Sequence, residues 1–357
     1  MIILGLETSC DETAAALVND QGDILAHQVL SQFAFHQPFG GVVPEIAARS
    51  HIDHLDQIIK NILKESNIKP AQIDAVAATA GPGLIGGLLV GLTMAKSLAL
   101  VWDKPLIAVN HLEAHALTAR LTHKISFPYL LLLISGGHCQ LLFVKGIGNY
   151  WCLGTTLDDA LGEAFDKVAK LLNLDYPGGP ALEKAARKAR IRQSFNKFDL
   201  PQPMVGKDNC NFSFSGLKTA VRHLITSLIE TQGLLSSEDQ ENIAASFEEA
   251  AFNSIIDRLK KAKAYLDKKE ISFSTLVAAG GVAANQTLGQ RLNDLGQEFG
   301  CSVIIPPPSL CTDNAAMVAW AGVERFKMGL SDSLDFAARP RWPLDPNYLG
   351  SRTKNSS

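Results

Sequence analysis

The 357 residues, 46% hydrophobic and 19% charged with a formal net charge of −3, are enough for two domains with ample cores and present no globally basic surface. Any contact with nucleic acid must therefore come from a local patch or through a partner. The six cysteines show no Cys-x-x-Cys spacing, which speaks against a zinc ribbon or a disulfide framework and fits a reducing, cytoplasmic setting.

Residues 2–6 read as a short apolar strand, entered without the basic region or small-residue cleavage site of a signal peptide. A polar turn at 7–12, a returning strand at 14–18 and a third at 24–30 predict a three-stranded meander. Pro44 opens a long amphipathic helix with Ile46, Leu55, Ile59 and Leu63 on its inner side, and 73–80 reads as another strand. Gly81-Pro82-Gly83 breaks that strand before an apolar helix at 84–102. This stretch alone is long enough to raise the membrane question. Thr93, Lys96 and Ser97 within it, and Asp103 and Lys104 after it, make it a Gly-rich buried helix, so no membrane is expected.

His111 and His115 follow. Their spacing on a helix puts both imidazoles on one face, within reach of one metal ion. Asp313, in the loop 309–314 ahead of an apolar helical pattern running to Phe326, is the best candidate for a third ligand. Two histidines and a carboxylate leave coordination positions open, as suits a metal that handles substrate. The plainer alternative is two ordinary polar histidines. A metalloprotease would need His-Glu-x-x-His; here Glu113 lies two positions after His111, a rotation of about 200° that turns it from the metal toward solvent or an outer shell.

A second round begins at 129–134, turns at Ser135-Gly136-Gly137-His138, returns along 140–144 and adds a strand near 150–153. Helices are predicted at 158–172, 216–231, 237–266 and 286–299, with a strand at 275–279. Ser237 and Gln240 suggest a capping box for the longest of these helices. Lys184, Arg187, Lys188, Arg190, Arg192 and Lys197 form one basic cluster, and Arg339 and Arg341 with Trp342 form another. Each reads either as a nucleic-acid contact or as a solvated face.

Two strand–turn–strand hairpins followed by a strand, a Gly280-Gly281 turn and a helix are similar to the actin-like ATPase architecture. That likeness implies an α/β fold of two actin-like ATPase (RNase H-like) lobes with a nucleotide cleft between them. The N-terminal lobe would span 1–110, completed by 325–345, the C-terminal lobe 111–324 with helical insertions, and 346–357 would be a disordered tail.

The ordered set Glu7-Thr8-Ser9-Cys10-Asp11-Glu12-Thr13, Gly40-Gly41-Val42-Val43-Pro44-Glu45, Ala80-Gly81-Pro82-Gly83-Leu84, His111-Leu112-Glu113-Ala114-His115, Ser135-Gly136-Gly137-His138, Gly162-Glu163-Ala164-Phe165-Asp166-Lys167, Tyr176-Pro177-Gly178-Gly179-Pro180, Phe212-Ser213-Phe214-Ser215-Gly216-Leu217-Lys218-Thr219 and Cys311-Thr312-Asp313-Asn314 closely resembles the tRNA N6-adenosine threonylcarbamoyltransferase family. Bacterial members were long described as O-sialoglycoprotein endopeptidases. The resemblance runs from Met1 to about Leu344. It implies transfer of a threonylcarbamoyl group from L-threonylcarbamoyl-AMP to N6 of the adenosine 3′ of the anticodon in tRNAs reading codons that begin with A, with release of AMP.

The resemblance also implies one divalent metal, usually iron and sometimes zinc, on His111, His115 and Asp313. Leu133, Ile134, Ser135, Gly136, Gly137, Asp166, Gly179, Glu183 and Asn285 would line the adenylate site. A paralogous non-catalytic subunit and a small ATPase are the implied partners. Two positions depart from the family's pattern: Cys139 replaces a threonine and Ala283 a serine. Chemically, an exocyclic adenine amine is a poor nucleophile, so the electrophile must be activated and a base must take the departing proton. Asp11 and Glu12 are the carboxylates available in the first hairpin turn, where they serve as candidate base, turn support or cation ligand. A sugar or acyl kinase, a metalloprotease and an interaction-only paralogue are the competing classes.

Overall fold

Alternating apolar runs build the first sheet in a computed structural model that describes residues 1–39, 41–193 and 197–348. Gly40 of the second motif and nearly all of the expected tail lie outside the described residues. Strands β1 (Ile2–Glu7), β2 (Glu12–Asn19) and β3 (Ile24–Ser31) form the expected antiparallel meander, with Leu4 paired to Leu17 and Ala16 to His27. After the short helix α1 (Phe33–His36), α2 (Pro44–Ser66) starts on Pro44 and buries Ala47, Ser50, His51, Leu55, Ile58, Ile59 and Ile62. Ile46 and Leu63 sit at the half-buried margin of that stripe. Strand β4 (Ala75–Gly81), helix α3 (Ile85–Trp102), strand β5 (Leu106–Asn110) and helix α4 (His111–His123) follow, β5 being a strand the sequence reading passed over.

The second sheet comprises β6 (Tyr129–Ile134), β7 (Cys139–Gly146), β8 (Asn149–Thr155), β9 (Thr275–Ala279) and β10 (Ser302–Ile304). Helices α5 (Leu161–Leu171), α6 (Gly178–Ile191), α7 (Ser215–Gln232), α8 (Ser237–Lys268) and α9 (Gln286–Phe299) accompany it. Then come α10 (Pro308–Cys311) and α11 (Ala315–Lys327). The sheets run β3-β2-β1-β4-β5 and β8-β7-β6-β9-β10, so one topology occurs twice: an antiparallel meander extended by parallel strands. All six residues of β6 are buried, as in a central strand covered on both faces.

The chain forms two compact units. One holds Met1–Phe127, Lys145–Tyr150 and Pro306–Pro346, and the other Pro128–Val144 and Trp151–Ile305, with the segment from Asn347. The division expected at 110 and the return expected at 325 both shift. Helix α4 packs on β5 and α11, and α11 lies directly on β1 and β2, so residues 111–127 and 306–324 belong with the first sheet. Gly5 permits this approach: a Cβ there would stand 2.5 Å from Ala319 N and 2.6 Å from Ala315 O.

Three local expectations change. The cap of α8 is Ser236, not Ser237; its hydroxyl accepts from Asp239 N at 3.0 Å and donates to Asp239 Oδ2 at 2.6 Å. Helix α5 starts at Leu161, not 158, because Asp158 is committed elsewhere. Its carboxylate accepts from Phe214 N (2.8 Å), Ser215 N (3.2 Å), Ser213 Oγ (2.6 Å) and Ser215 Oγ (2.8 Å), which anchors the start of α7. Helix α3 is the one helix among the described residues long and apolar enough to cross a membrane, and it is buried along one face only. Gly87 and Gly91 face Thr8, whereas Leu100 and Val101 are exposed.

Candidate metal centre and adenylate pocket

Helix α4 begins where β5 ends because Asn110 caps it. Its Oδ1 accepts from Leu112 N at 2.9 Å and its Nδ2 donates to Trp342 O at 2.9 Å. That cap places His111 in the first turn and His115 one turn on, with ring centroids 4.7 Å apart and edge-on. Asp313 precedes Asn314, which caps α11 by accepting from Met317 N at 3.0 Å. Asp313 Oδ1 stands 3.1 Å from His115 Nε2 and 3.5 Å from His111 Nε2. The donor atoms of the three residues lie within 4.8 Å of one another, and His115 Nδ1 is buried without a partner among the described residues. Two imidazole nitrogens and one carboxylate oxygen make a donor set suited to a divalent metal with open positions, so the triad can hold one.

The electrostatics follow from burial and mutual charge. Burial alone would raise the Asp313 pKa and lower that of His111. Their attraction outweighs it, holding Asp313 well below the carboxylate range and His111 well above the imidazole range. Glu113 is turned away from the triad, as its rotation predicts, yet it is buried, not solvated. Its carboxylate lies 3.6 Å from Arg325, and burial raises its pKa. Glu7, to which the sequence reading assigned no role, is buried and accepts hydrogen bonds beside His111.

Asp11 and Glu12 occupy the turn between β1 and β2, and Glu12 opens β2. The turn is tightly held: Thr8 Oγ1 donates to Gly87 O (2.8 Å), His51 Nε2 to Cys10 O (3.0 Å) and Leu84 N to Ser9 O (2.8 Å). The Gly81-Pro82-Gly83-Leu84 motif thus serves the turn. Burial, followed by the charges of Asp313 and Asp11, raises the Glu12 pKa well above the usual carboxylate range.

The adenylate candidates all belong to the second unit. Ser135 N donates to His138 O at 2.8 Å, closing the β6–β7 turn. Gly136 and Gly137 are exposed there, with nothing within 4 Å of where a Cβ would sit. Packing does not require glycine at either position, so the open backbone is what distinguishes them. Gly280, at φ +93°, brings the end of β9 against Ile134 O, where a Cβ would fall at 2.3 Å. Asp166 Oδ1 accepts from Gly178 N at 2.9 Å beneath the open N-terminal turn of α6, which carries Gly179. Glu183 Oε1 accepts from Gln286 N at 2.9 Å.

Asn285 is buried and doubly committed: Oδ1 caps α9 through Leu288 N (3.0 Å), and Nδ2 donates to Glu248 Oε1 (2.8 Å). Leu133 and Ile134 are fully buried in β6, paired with Gln140 and Cys139, and support the turn that follows them. Cys139 and Ala283, the two departures, are buried as well.

The first basic cluster is largely neutralised within the fold by carboxylates of α8. Arg190 pairs with Glu248 (2.6 Å), Lys188 and Arg192 with Glu241 (3.2 and 2.5 Å), and Lys197 with Asp239 (3.1 Å). Arg187 donates to Gln286 Oε1 at 2.5 Å. In the second cluster, the Arg339 guanidinium lies over the rings of Phe336 and Trp342, at 4.6 and 5.0 Å.

The sequence model of the tRNA N6-adenosine threonylcarbamoyltransferase family matches residues 23–320. A protein of that name from Paramagnetospirillum magneticum is 56% identical over 346 residues, covering 97% of this chain and 98% of its own. Another from Rhodospirillum rubrum is 54% identical over 350 residues, covering 97% and 95%. Among solved structures, T. kodakarensis HypF superposes with a TM-score of 0.56 at 14% identity, over 92% of this chain and 48% of HypF. That last likeness is one of fold: the duplicated α/β units are of the actin-like ATPase (RNase H-like) kind that the paired hairpins predict.

Proposed function

This chain belongs to the tRNA N6-adenosine threonylcarbamoyltransferase family, transferases that modify tRNA, and we propose from that premise that it moves the threonylcarbamoyl group of L-threonylcarbamoyl-AMP to N6 of the adenosine 3′ of the anticodon in tRNAs reading codons that begin with A. The convergence of His111, His115 and Asp313 carries the reading, because a kinase of the same fold has no need of a protein-held ligand triad. In the transfer, the adenine nitrogen attacks the carbamoyl carbon, the carbon–oxygen bond to phosphate breaks, AMP departs, and the N6 proton passes to a carboxylate.

Amides of Gly136 and Gly137 hold the phosphate, and the open turn at Gly179 leaves room for the nucleotide. Asp166 and Glu183 accept from the ribose hydroxyls. Asn285 lines the pocket as the cap of α9, its amide held by Glu248. Asp11 and Glu12 are the proton acceptors; burial and the charge of Asp313 favour a proton on Glu12, and a cation that offsets Asp313 would free its carboxylate to accept one. A divalent metal on the triad, Fe(II) ahead of Zn(II), supplies a Lewis acid for the threonyl group or the carbamoyl oxygen. The reaction takes place in the cytoplasm, away from membranes, with a paralogous non-catalytic subunit and a small ATPase as partners.

Mass spectrometry of nucleosides from tRNA incubated with the protein, these partners and preformed adenylate tests the proposal. Threonylcarbamoyladenosine should accumulate with AMP in equal amounts. Turnover of ATP onto a small acceptor, with unmodified tRNA, would overturn it.

A further inference from the structure

Glu7 ends β1 with no exposed surface, and a carboxylate so placed persists only if its oxygens are satisfied. Oε1 accepts from Ser9 N at 2.6 Å. Oε2 accepts from Thr79 Oγ1 at 2.5 Å and lies 3.1 Å from His111 Nδ1. The strands impose this arrangement, since Thr79 sits on β4, the parallel neighbour of β1. The other contact of His111 Nδ1 is Ser9 Oγ at 3.2 Å. His111 Nε2, across the ring, faces Asp313. Among the described residues His115 has no equivalent support, because its Nδ1 is buried without a partner.

We propose that Glu7 is a positioning residue for the metal centre: it holds the proton of His111 on Nδ1 and fixes the ring so that Nε2 presents its lone pair beside His115 and Asp313. This rests on the reading of the triad as a metal site. A carboxylate can only accept, so the nitrogen facing it must carry hydrogen, and a metal-binding imidazole has one hydrogen to place. Glu7→Gln inverts that logic without changing shape. Ser9 N can only donate, so the amide oxygen must take the Oε1 place. The amide NH2 then faces His111 Nδ1 and forces the hydrogen onto Nε2, the atom a metal needs.

The test is titration of metal-free full-length protein with Co(II), read from its visible absorption bands. Wild type should bind one equivalent, and His115→Ala should lose that binding. Glu7→Gln should bind about 10- to 100-fold more weakly. Ser9→Ala should stay near wild type, because the hydroxyl can donate or accept. If wild type binds no Co(II), or His115→Ala binds as wild type does, the triad reading fails. If those two behave as stated but Glu7→Gln keeps wild-type affinity, or Ser9→Ala loses as much as Glu7→Gln, the role of Glu7 fails. Should Glu7→Gln not fold by circular dichroism, Glu7→Asp takes its place. Its carboxylate is withdrawn from Nδ1 by one methylene, and unchanged Co(II) affinity there would equally overturn the proposal.

Discussion

Asn285 Nδ2 donates to Glu248 Oε1 across 2.8 Å, tying the first turn of α9 to a fully buried carboxylate of α8 that is also paired with Arg190. Asn285→Ala removes the α9 cap, worth about 1 kcal/mol, and leaves a buried acceptor short of a donor, worth about 1–3 kcal/mol more. Thermal unfolding should show the loss, and calorimetric titration with AMP should show weaker binding. Asn285→Asp keeps the cap but sets a second carboxylate against Glu248, and so should be no more stable than Asn285→Ala at neutral pH.

Arg190 should matter for folding more than for tRNA. Arg190→Ala strands the Glu248 charge in the interior, and urea denaturation should record a loss of about 3 kcal/mol. Lys188 is mostly exposed, and Lys188→Ala should cost less than about 1 kcal/mol. Because Glu241 already occupies Lys188 and Arg192, the salt dependence of tRNA binding should be unchanged when both are replaced by alanine. A slope lower by about one per residue would return these cations to the tRNA surface.

Removal of any one of His111, His115 and Asp313 should empty the metal centre, since two remaining ligands compete poorly with water for a divalent ion. Elemental analysis of purified alanine variants should find less than about a tenth of the wild-type content. Circular dichroism should remain native for Asp313→Ala, whose side chain is the most exposed of the three.

Asp158 predicts an acid limb. Burial would raise its pKa, but the hydrogen bonds from Ser213, Phe214 N and Ser215 prevail and hold it below the ordinary 3.8. A depressed folded pKa stabilises the fold above the unfolded value and loses that contribution as pH falls through the folded one. Stability measured against pH should therefore fall below about pH 4 in wild type. The difference between wild type and Asp158→Asn should be constant above that pH and shrink below it. A constant difference down to pH 2 would show that Asp158 titrates as an ordinary carboxyl.

Local periodicity was enough to read the hairpin meanders, the strand β9 and the helix α9, both of the latter at the bounds observed, and the four-residue spacing alone put His111 and His115 on one helix face. Each of these depends on residues a few positions apart, whose relation the backbone geometry sets. Family resemblance supplied the ordered motifs and, with them, the adenylate candidates.

The tertiary structure decided most of the partners of charges. Asp313 was already a ligand candidate, and the fold brings it to His115 across 198 positions, but the approach of Glu7 to His111 across 104 positions had no sequence signal. The basic run of α6 is answered by Glu241 and Glu248 on α8, and Asp158 is spent on the start of α7 rather than on α5. A hydropathy pattern can say which face of a helix is buried, but not which opposite charge waits there. That choice is settled when distant elements pack and each buried polar atom must find a partner or pay its desolvation.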